Sequence, residues 1–355
     1  PWLGLTAALL LLTASLLWLW RSEQSLELAP VSTQTRVAIL PLSNASGDPA
    51  SDWLALGLMS AIAQILNEAG HIATVPPAEV LDAFPAGSPA SAVAEADQRL
   101  RLQRRASHVY SGVLHAGQGN YRVAYVLRGP DGRERRRSVV GADASALARA
   151  IGADLLALLG SDARRLEDMD DFIGETSLRG RALRLQGELQ QADELFRIAS
   201  EQSPQAFWPR YEYALSRRDL GDAGQANAIL AALLEQARAG TDAGRLRAAA
   251  NSYALAKMHA GALEEAALLL DEALAAAHAS ADVDAIATVL ANRSIVQRRM
   301  GDLDAALREA EAGLAVYRAA GIEHPPASLY NTLAQVSLEL GDHTAAESHL
   351  QGAIE

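Results

Sequence analysis

The stretch Gly261–Ala273, GALEEAALLLDEA, decides the fold of the second half of the chain. It reads as a glycine, four residues, an alanine, then apolar residues and another small residue. The same pattern recurs four more times, starting at Gly187, Gly221, Gly301 and Gly341. The first spacing is 34 residues and the other three are 40 residues each. Periods of this size indicate a solenoid of repeated supersecondary units, so we expect an all-α solenoid over residues 175–355.

Each part of the pattern has a physical reason in a helix–turn–helix unit. The glycine supplies the tight turn between the two helices, because a residue without a Cβ adopts backbone angles that other residues avoid. The alanine five residues later falls where helices cross closely and only a small side chain fits. These alanines are Ala192, Ala226, Ala266, Ala306 and Ala346. One turn further on, Phe196, Leu230 and Leu270 return to the same face of the second helix.

These marks resemble the tetratricopeptide repeat, and the resemblance covers about half of the chain. Pro204 stands where that family's repeat-ending proline belongs, and the six extra residues per repeat resemble its longer variants. The resemblance implies an array that binds proteins or peptides and rarely catalyses a reaction. The array is expected to continue beyond Glu355, because Leu350 and Ile354 would otherwise lack the polar capping helix that such arrays need.

The resemblance also implies where a partner binds. In the family the first helix of each repeat lines a concave groove, and the inward positions are counted back from the turn glycine as the fifteenth position. The candidate partner-binding residues are Trp208, Tyr211, Arg218, Asn251, Met258, Arg298 and Asn331. An alternative interpretation is that Trp208 and Tyr211 only pack between helices. Because Lys257 is the single lysine of the chain, we expect no strong preference for a free C-terminal carboxylate.

Residues 36–160 carry a different pattern. RVAILPL, from Arg36, reads as a buried strand, and SNASGDPASD after it reads as a turn that leads into a mostly apolar helix over 53–68. Further on, GQGN and GPDG separate three strand-like stretches and are strong hairpin signals. The order is strand, helix, strand, helix, a three-strand meander and a closing helix. This order predicts a small α/β domain with a mixed sheet.

The start of this region is similar to the TolB-N-terminal-like domain of bacterial membrane proteins. That family begins with a strand ending in L-P-F, an N-x-S-G-D-P turn and a helix with a G-L dipeptide. Leu42 replaces the usual phenylalanine. The matching residues are Leu40, Pro41, Asn44, Ser46, Gly47, Asp48, Pro49, Gly57 and Leu58. The resemblance covers about a third of the chain and implies a domain without catalytic activity.

The first residues of the chain are uncharged and apolar. As a helix at about 1.5 Å per residue, Trp2–Trp20 spans about 28 Å, close to the thickness of the hydrocarbon core of a bilayer. Tryptophans stand at both of its ends, as interfacial aromatics do. We therefore predict a single transmembrane helix over 1–21, a linker over 22–35, and a second linker over 161–174. The alternative is a cleaved signal peptide, but no A-x-A site follows.

The sequence offers little for catalysis or for small-molecule binding. It has no cysteine, no histidine pair at metal-binding spacing and no phosphate-binding glycine motif, so we predict no enzyme activity, no metal and no cofactor. The formal net charge of −12 argues against nucleic-acid binding through a general basic field. Two arginine-rich stretches, 99–105 and 133–137, are interpreted as solvated faces, with a surface for anionic lipid headgroups as the alternative.

The combination of an anchor, a TolB-N-like domain and a tetratricopeptide array resembles the extracytoplasmic half of ToxR/CadC-type transmembrane transcriptional regulators. The fold class is accordingly predicted as α+β. The resemblance implies a bacterial inner-membrane protein with one span and a periplasmic C-terminal part that senses a protein or peptide, with homodimer formation left open. DNA would be bound only by a winged-helix domain upstream of Pro1, outside this sequence. The same modules also follow adenylate cyclase or kinase domains, and an anchored periplasmic scaffold is a further alternative.

Overall fold

The computed structural model describes residues 35–68, 72–117, 120–161, 174–280, 282–322 and 325–354. They form a mixed sheet covered by helices, followed by an array of helical hairpins. The predicted fold class is therefore confirmed for these two parts. The predicted transmembrane helix over 1–21 lies outside the described residues, and so do the predicted linkers 22–35 and 161–174 except for Thr35, Ser161 and Gly174.

The described strands form one sheet that combines parallel and antiparallel pairs. The strands are β1 Thr35–Ile39, β2 Ser43–Asn44, β3 Ile72–Thr74, β4 His108–Gly117, β5 Asn120–Arg128 and β6 Glu134–Gly141. The main order is β3-β1-β4-β5-β6, with β2 paired beside β4. β1 runs parallel to β3 and β4, whereas β4, β5 and β6 form the predicted antiparallel meander. The mixed sheet follows from two crossovers, from β1 to β3 and from β3 to β4, and two hairpins.

Helices of the sheet region supply most of its core. They are α1 Trp53–Glu68, α2 Pro77–Ala83, α3 Val93–Arg104 and α4 Ala144–Leu158. α1 packs on β1 and β3, and α4 packs on β5, β6 and α1. α4 begins at a cap in which Asp143 accepts the N–H of Ala146 over 2.7 Å, the arrangement that stabilises a helix N-terminus. The region therefore has its helices anchored on the sheet rather than on one another alone.

One described helical segment, Pro49–Glu68, is long and apolar enough to cross a membrane by length and composition. Its most apolar window is 61% buried inside the protein. Leu54, Leu58 and Ile62 of this segment have no exposed surface and belong to the hydrophobic core. The apolar character of the segment is thus explained by its place in the core.

The turn before α1 is closed by its own polar side chains. Asp48 accepts the N–H of Ala50 over 2.9 Å and caps the short 3-10 helix Pro49–Ser51. Asn44 accepts the N–H of Ser46 over 2.9 Å and donates to Asp52 over 2.7 Å. These polar groups are engaged with one another, which gives the turn a structural role.

Ten helices in the described part of the array form five antiparallel hairpins, called here repeats 1 to 5. The first helix of each repeat is its A helix and the second is its B helix. In order, the A and B helices are α5 Glu175–Leu185 and α6 Leu189–Gln202, α7 Phe207–Asp219 and α8 Ala223–Arg238, α9 Ala243–His259 and α10 Leu263–Ser280, α11 Val283–Met300 and α12 Leu303–Ala319, and α13 Ala327–Glu339 and α14 His343–Ile354.

The repeat signals of the sequence have the predicted roles. The five turn glycines join A to B helices with φ between 82° and 88°, a conformation that side chains rarely adopt. The five alanines after them are at most 1% exposed, where the helices cross. Phe196, Leu230 and Leu270 are fully buried on the same helix faces. The array is a tetratricopeptide-like solenoid.

Aspartates cap both helices of the repeats. Asp222, Asp302 and Asp342 directly follow turn glycines, and each accepts the N–H of the residue three positions later. Asp242 and Asp282 do the same for the A helices α9 and α11. Such a cap typically contributes about 1 kcal/mol to helix stability. The glycine–aspartate pairs of the sequence indicate such caps, which were not among the predictions.

α1 also joins the two regions of the molecule. It packs along α5, where the B helix of a preceding repeat would lie. A Cβ on Gly57 would stand 2.9 Å from the carbonyl oxygen of Leu178, so this approach requires a glycine. The Arg179 guanidinium lies over the Trp53 ring, 4.8 Å from its centroid. One hydrophobic core therefore runs from the sheet region into the array.

Candidate protein-binding groove

The A helices form the inner side of repeats 3 to 5. α11 approaches its neighbouring A helices α9 and α13 closely, whereas no two B helices in the described residues approach each other to the same extent. A stack of helices that crowds on one side bends toward that side. The array therefore curves with its A helices inside, which is the face where the sequence predicted a groove.

Side-chain hydrogen bonds join each A helix to the next across this inner side, and we call them the polar rungs. Tyr211 Oη and Ser252 Oγ lie 2.8 Å apart between α7 and α9. Asn292 Nδ2 donates to Asn251 Oδ1 over 2.8 Å between α9 and α11. Both rungs join residues 41 positions apart, one repeat plus one residue. The rungs fix neighbouring repeats to each other.

Of the other predicted polar residues, Arg298 and Arg218 form ion pairs and Asn331 is exposed. Arg298 Nη1 donates to Glu339 Oε1 over 2.5 Å, which adds a rung between α11 and α13. Arg218 pairs with Asp219 over 2.8 Å on its own helix, and Asn331 is exposed on α13. Three of the seven predicted residues are thus used in contacts between repeats. Packing between helices was the alternative interpretation for Tyr211, but it was not predicted for Asn251 and Arg298.

Two of the predicted groove residues are buried. Trp208 is 6% exposed and Met258 is 4% exposed. The Trp208 ring meets the rings of Phe207 and Tyr211 edge-on, at centroid distances of 5.0 Å and 5.6 Å. Side chains in this position stabilise the packing between helices and present little surface to a partner.

The first two repeats are joined by buried charges. Arg181 on α5 is 2% exposed and donates to Glu212 Oε1 on α7 over 3.2 Å, and Arg184 reaches Glu212 Oε2 over 2.6 Å. Burial lowers the pKa of Arg181 to about 10. Burial alone would raise the pKa of Glu212, but Arg184 and Arg181 outweigh it and hold the pKa below its ordinary value. Arg181 and Glu212 are therefore charged at neutral pH, and together with Arg184 they form a structural ion cluster.

An apolar stripe runs along the inner side between the rungs. Leu215, Leu255 and Ile295 are partly exposed and repeat every 40 residues, one per A helix. Leu215 and Leu255 stand one helical turn after Tyr211 and Asn251, so they share the face of the rungs. These three residues lie six positions before the turn glycines, whereas the predicted groove residues were taken at three, ten and thirteen positions before them.

The single lysine of the chain is held by its own repeat. Lys257 Nζ lies 2.7 Å from Glu265 Oε2 and 5.1 Å from the centroid of the Tyr253 ring. Hydrogen bonds to Glu265 and Tyr253 raise the pKa of Lys257 above its ordinary value. Lys257 is therefore engaged within repeat 3.

The two arginine-rich stretches of the sheet region also have structural contacts. Arg101 bonds to Asp97 and to the carbonyl oxygens of Ser107 and Arg128. Arg104 pairs with Glu79 over 2.7 Å. On β6, the arginines stand at the sheet edge, where charged side chains discourage pairing with another strand; the exposed residues there are Arg135, Arg136 and Arg137.

In the part of the chain that the structure describes, no three or more His, Cys, Asp or Glu side chains are grouped so that they could hold a metal ion. No protein-family model and no curated protein matches the chain.

Several solved structures are similar to the chain at low identity. BtubC (BKLC) from P. vanneervenii is 17% identical over 58% of this chain and 87% of that one, with a TM-score of 0.45. TTC0263, a thermophilic TPR protein in Thermus thermophilus, is 20% identical over 50% of this chain and 88% of that one, with a TM-score of 0.41. MamA is 16% identical over 49% and 92% of the two chains, with a TM-score of 0.36. These TM-scores are low, so the likenesses carry no argument about family or function.

Proposed function

We propose that the array binds an extended, proline-rich or otherwise polyproline-II-like segment of a partner protein along its inner side. The observation that carries this proposal is the apolar stripe of Leu215, Leu255 and Ile295, one residue per repeat and bordered by the polar rungs. Packed helices lie about 8–10 Å apart. A polyproline-II segment returns to the same face every third residue, after about 9 Å, so its repeat matches that of the stripe.

Two peptides test the spacing. One carries four Leu-Pro-Gln triplets, and the other has the same composition with leucine at every second position. The full chain in lipid nanodiscs should bind the first at least about tenfold more tightly by fluorescence anisotropy, equivalent to about 1.4 kcal/mol. Equal affinity for the two peptides would show that the apolar stripe does not recognise the spacing of the leucines in the partner.

Leu255→Ser should weaken binding of the triplet peptide by at least about tenfold, because it removes the middle of the stripe. The matched control is Leu268→Ser, which changes a 70% exposed leucine on the B helix of the same repeat. The control should bind as the unmodified chain does. Thermal melting of both variants establishes that they are folded.

In the same proposal, Trp2–Trp20 anchors the chain in a bacterial inner membrane with its C-terminal part in the periplasm. The support is the uncharged sequence of that stretch and the resemblance to ToxR/CadC-type regulators. Deletion of residues 1–21 should move the protein from the carbonate-washed membrane fraction to the soluble fraction. Recovery of the deleted form in the washed membrane would contradict the anchor.

The anchored chain then serves as the sensing half of a one-component transcriptional regulator. The resemblance of residues 36–160 to the TolB-N-terminal-like domain, placed before a tetratricopeptide-like array, supports this assignment. The reading frame upstream of Pro1 should encode a winged-helix domain of about a hundred residues. A catalytic cyclase or kinase domain there, or an initiator methionine with a short basic stretch, would assign the chain to a signalling enzyme or to a scaffold.

A further inference from the structure

The sheet region touches the array at repeats 1, 3 and 4. α1 lies on α5 in repeat 1. The Glu68 carboxylate lies beside Gly244 at the start of α9 in repeat 3, and Arg36 on β1 reaches Asp284 at the start of α11 in repeat 4. Arg105 donates to the carbonyl oxygen of Gly321, after the B helix of repeat 4. In a free solenoid each repeat contacts only its neighbours, so the sheet region adds ties that the array itself lacks.

We propose that the sheet region is a brace that fixes the curvature of the array. Its central tie is the ion pair of Arg36 with Asp284, a carboxylate that Tyr317 also contacts. Arg36 Nη2 lies 2.7 Å from Asp284 Oδ2. Tyr317 Oη donates to Asp284 Oδ1 over 2.9 Å. Arg36 and Tyr317 are 6% and 3% exposed and the Asp284 side chain is 18% exposed, so water has little access to these contacts.

The tie joins rigid elements on both sides. The backbone of Arg36 is held on β1 by Ser107, whose Oγ accepts its N–H over 3.0 Å and whose N–H donates to its carbonyl over 2.8 Å. Asp284 stands in the first turn of α11, after the cap Asp282, and Tyr317 stands near the end of α12. A shift of repeat 4 away from the sheet would therefore break the ion pair rather than bend a flexible segment.

The same position of the A helix lies against the sheet region in repeats 3 and 4. The sheet region contributes a carboxylate at repeat 3 and an arginine at repeat 4. Asp284 stands two residues after its helix cap, and Gly244 stands two residues after the cap Asp242 in repeat 3. In repeat 4 the array supplies the carboxylate and the sheet region supplies the arginine. In repeat 3 the array supplies a glycine, and Glu68 Oε2 of the sheet region lies 3.6 Å from the place of its missing Cβ. The same position of the A helix thus contacts the sheet region in repeats 3 and 4.

None of the residues of the brace lies in the stripe or the rungs, so the proposal does not require that the groove bind a particular partner. It determines how far the A helices of repeats 1 to 4 can separate. A change at the sheet region is transmitted to the spacing of the groove through these ties, and the reverse holds for a change in the groove.

Spin labels can report the shape of the array without background labelling, because the chain has no cysteine. Gln190→Cys in repeat 1 and Glu347→Cys in repeat 5 place labels on exposed positions. In the full chain in nanodiscs, double electron–electron resonance should give a narrow distance distribution. Arg36→Gln and Asp284→Asn should each widen it by at least about twofold, because repeats 4 and 5 are released.

The exchanged pair Arg36→Asp with Asp284→Arg should recover part of the narrow distribution. The control is Arg238→Gln, which removes an ion pair of 2.7 Å to Glu272 between the B helices α8 and α10, away from the sheet region. It should leave the distribution unchanged. A folded Arg36→Gln chain with the original width overturns the brace.

If Arg36→Gln does not fold, amide hydrogen exchange on the unmodified chain tests the brace. With a brace, the Ile286 amide at the start of α11 exchanges as slowly as the amides of β1, because both become accessible only when the tie opens. An Ile286 amide that exchanges much faster than β1 overturns the proposal.

Discussion

The sheet region and the array use opposite packing strategies. The sheet region fills its core with large aliphatic side chains, such as Leu54, Leu58 and Ile62, which have no exposed surface. The array places alanines at its helix crossings, and Ala266 and Ala306 are likewise fully buried. A core of large side chains is damaged by lost volume, whereas a core of close crossings is damaged by added volume. Smaller side chains should therefore destabilise the sheet region, and larger ones should destabilise the array. Removal of a buried charge should also destabilise the array where its A helices meet.

The largest effect is expected at the buried ion cluster of the array. Glu212→Ala removes the carboxylate that offsets the charges of Arg181 and Arg184, and breaking such a buried pair typically costs about 3–5 kcal/mol. Urea unfolding measures the loss. Glu265→Ala, which removes only the exposed pair with Lys257, is the control and should change stability by about 0–1 kcal/mol. Equal losses would mean that the cluster is hydrated.

Loss of volume in the sheet region comes next. Ile62→Ala in α1 leaves a cavity between the helix and the sheet and should cost about 2–5 kcal/mol. Leu102→Ala on α3 removes a side chain that is 59% exposed, and it should change stability by less than about 0.5 kcal/mol. Denaturant midpoints of the two variants provide the comparison; a tolerated Ile62→Ala would show that the core collapses around it.

Added volume in the array should have a smaller but definite effect. Ala266→Leu forces α9 and α10 apart at their crossing and should cost about 1–3 kcal/mol. Ala275→Leu places the same extra atoms on an exposed position of α10 and should be neutral. If chemical denaturation finds the two variants alike, the alanine at the crossing is not sterically required and the contrast between the regions fails.

The smallest effect is a pH dependence at the junction of the two regions. Burial, followed by the Asp242 carboxylate, raises the pKa of Glu68 from 4.5 to about 7. Between these values the folded state binds a proton that the unfolded state has lost, so stability falls as the pH rises from about 5 to about 7. Glu68→Gln should remove this dependence of stability on pH. Urea unfolding at several pH values measures the free energy of unfolding of variant and parent. If both show the same dependence on pH, the Glu68 carboxylate is hydrated.

Periodicity is the reason why much of the array could be predicted from the sequence. The turn glycine, the alanine at the crossing and the apolar residue one turn later each recur in register, so every repeat supports the others. The hairpin signals GQGN and GPDG depend only on neighbouring residues, and they predicted the antiparallel meander. The described helices and strands follow these local signals closely.

The groove residues were harder to predict because position on a helix face does not specify the partner. Counting from the glycine placed Tyr211, Asn251 and Arg298 on the inner side, but it could not show that the next repeat uses them in rungs. Arg36 and Asp284 are 248 residues apart in the sequence, and neither belongs to a repeated pattern. Contacts of this kind arise only once both regions have folded.

The tie between Arg36 and Asp284 also limits how this gene can evolve. Solenoids commonly gain or lose whole repeats by duplication, because each unit needs only its neighbours. Here a unit inserted between repeats 1 and 4 would carry Asp284 about 8–10 Å further along the stack, out of reach of an arginine fixed on β1. Duplication is therefore tolerated after repeat 4 but not before it. Related proteins with this sheet region should share the number of repeats up to that aspartate and vary in length only beyond it.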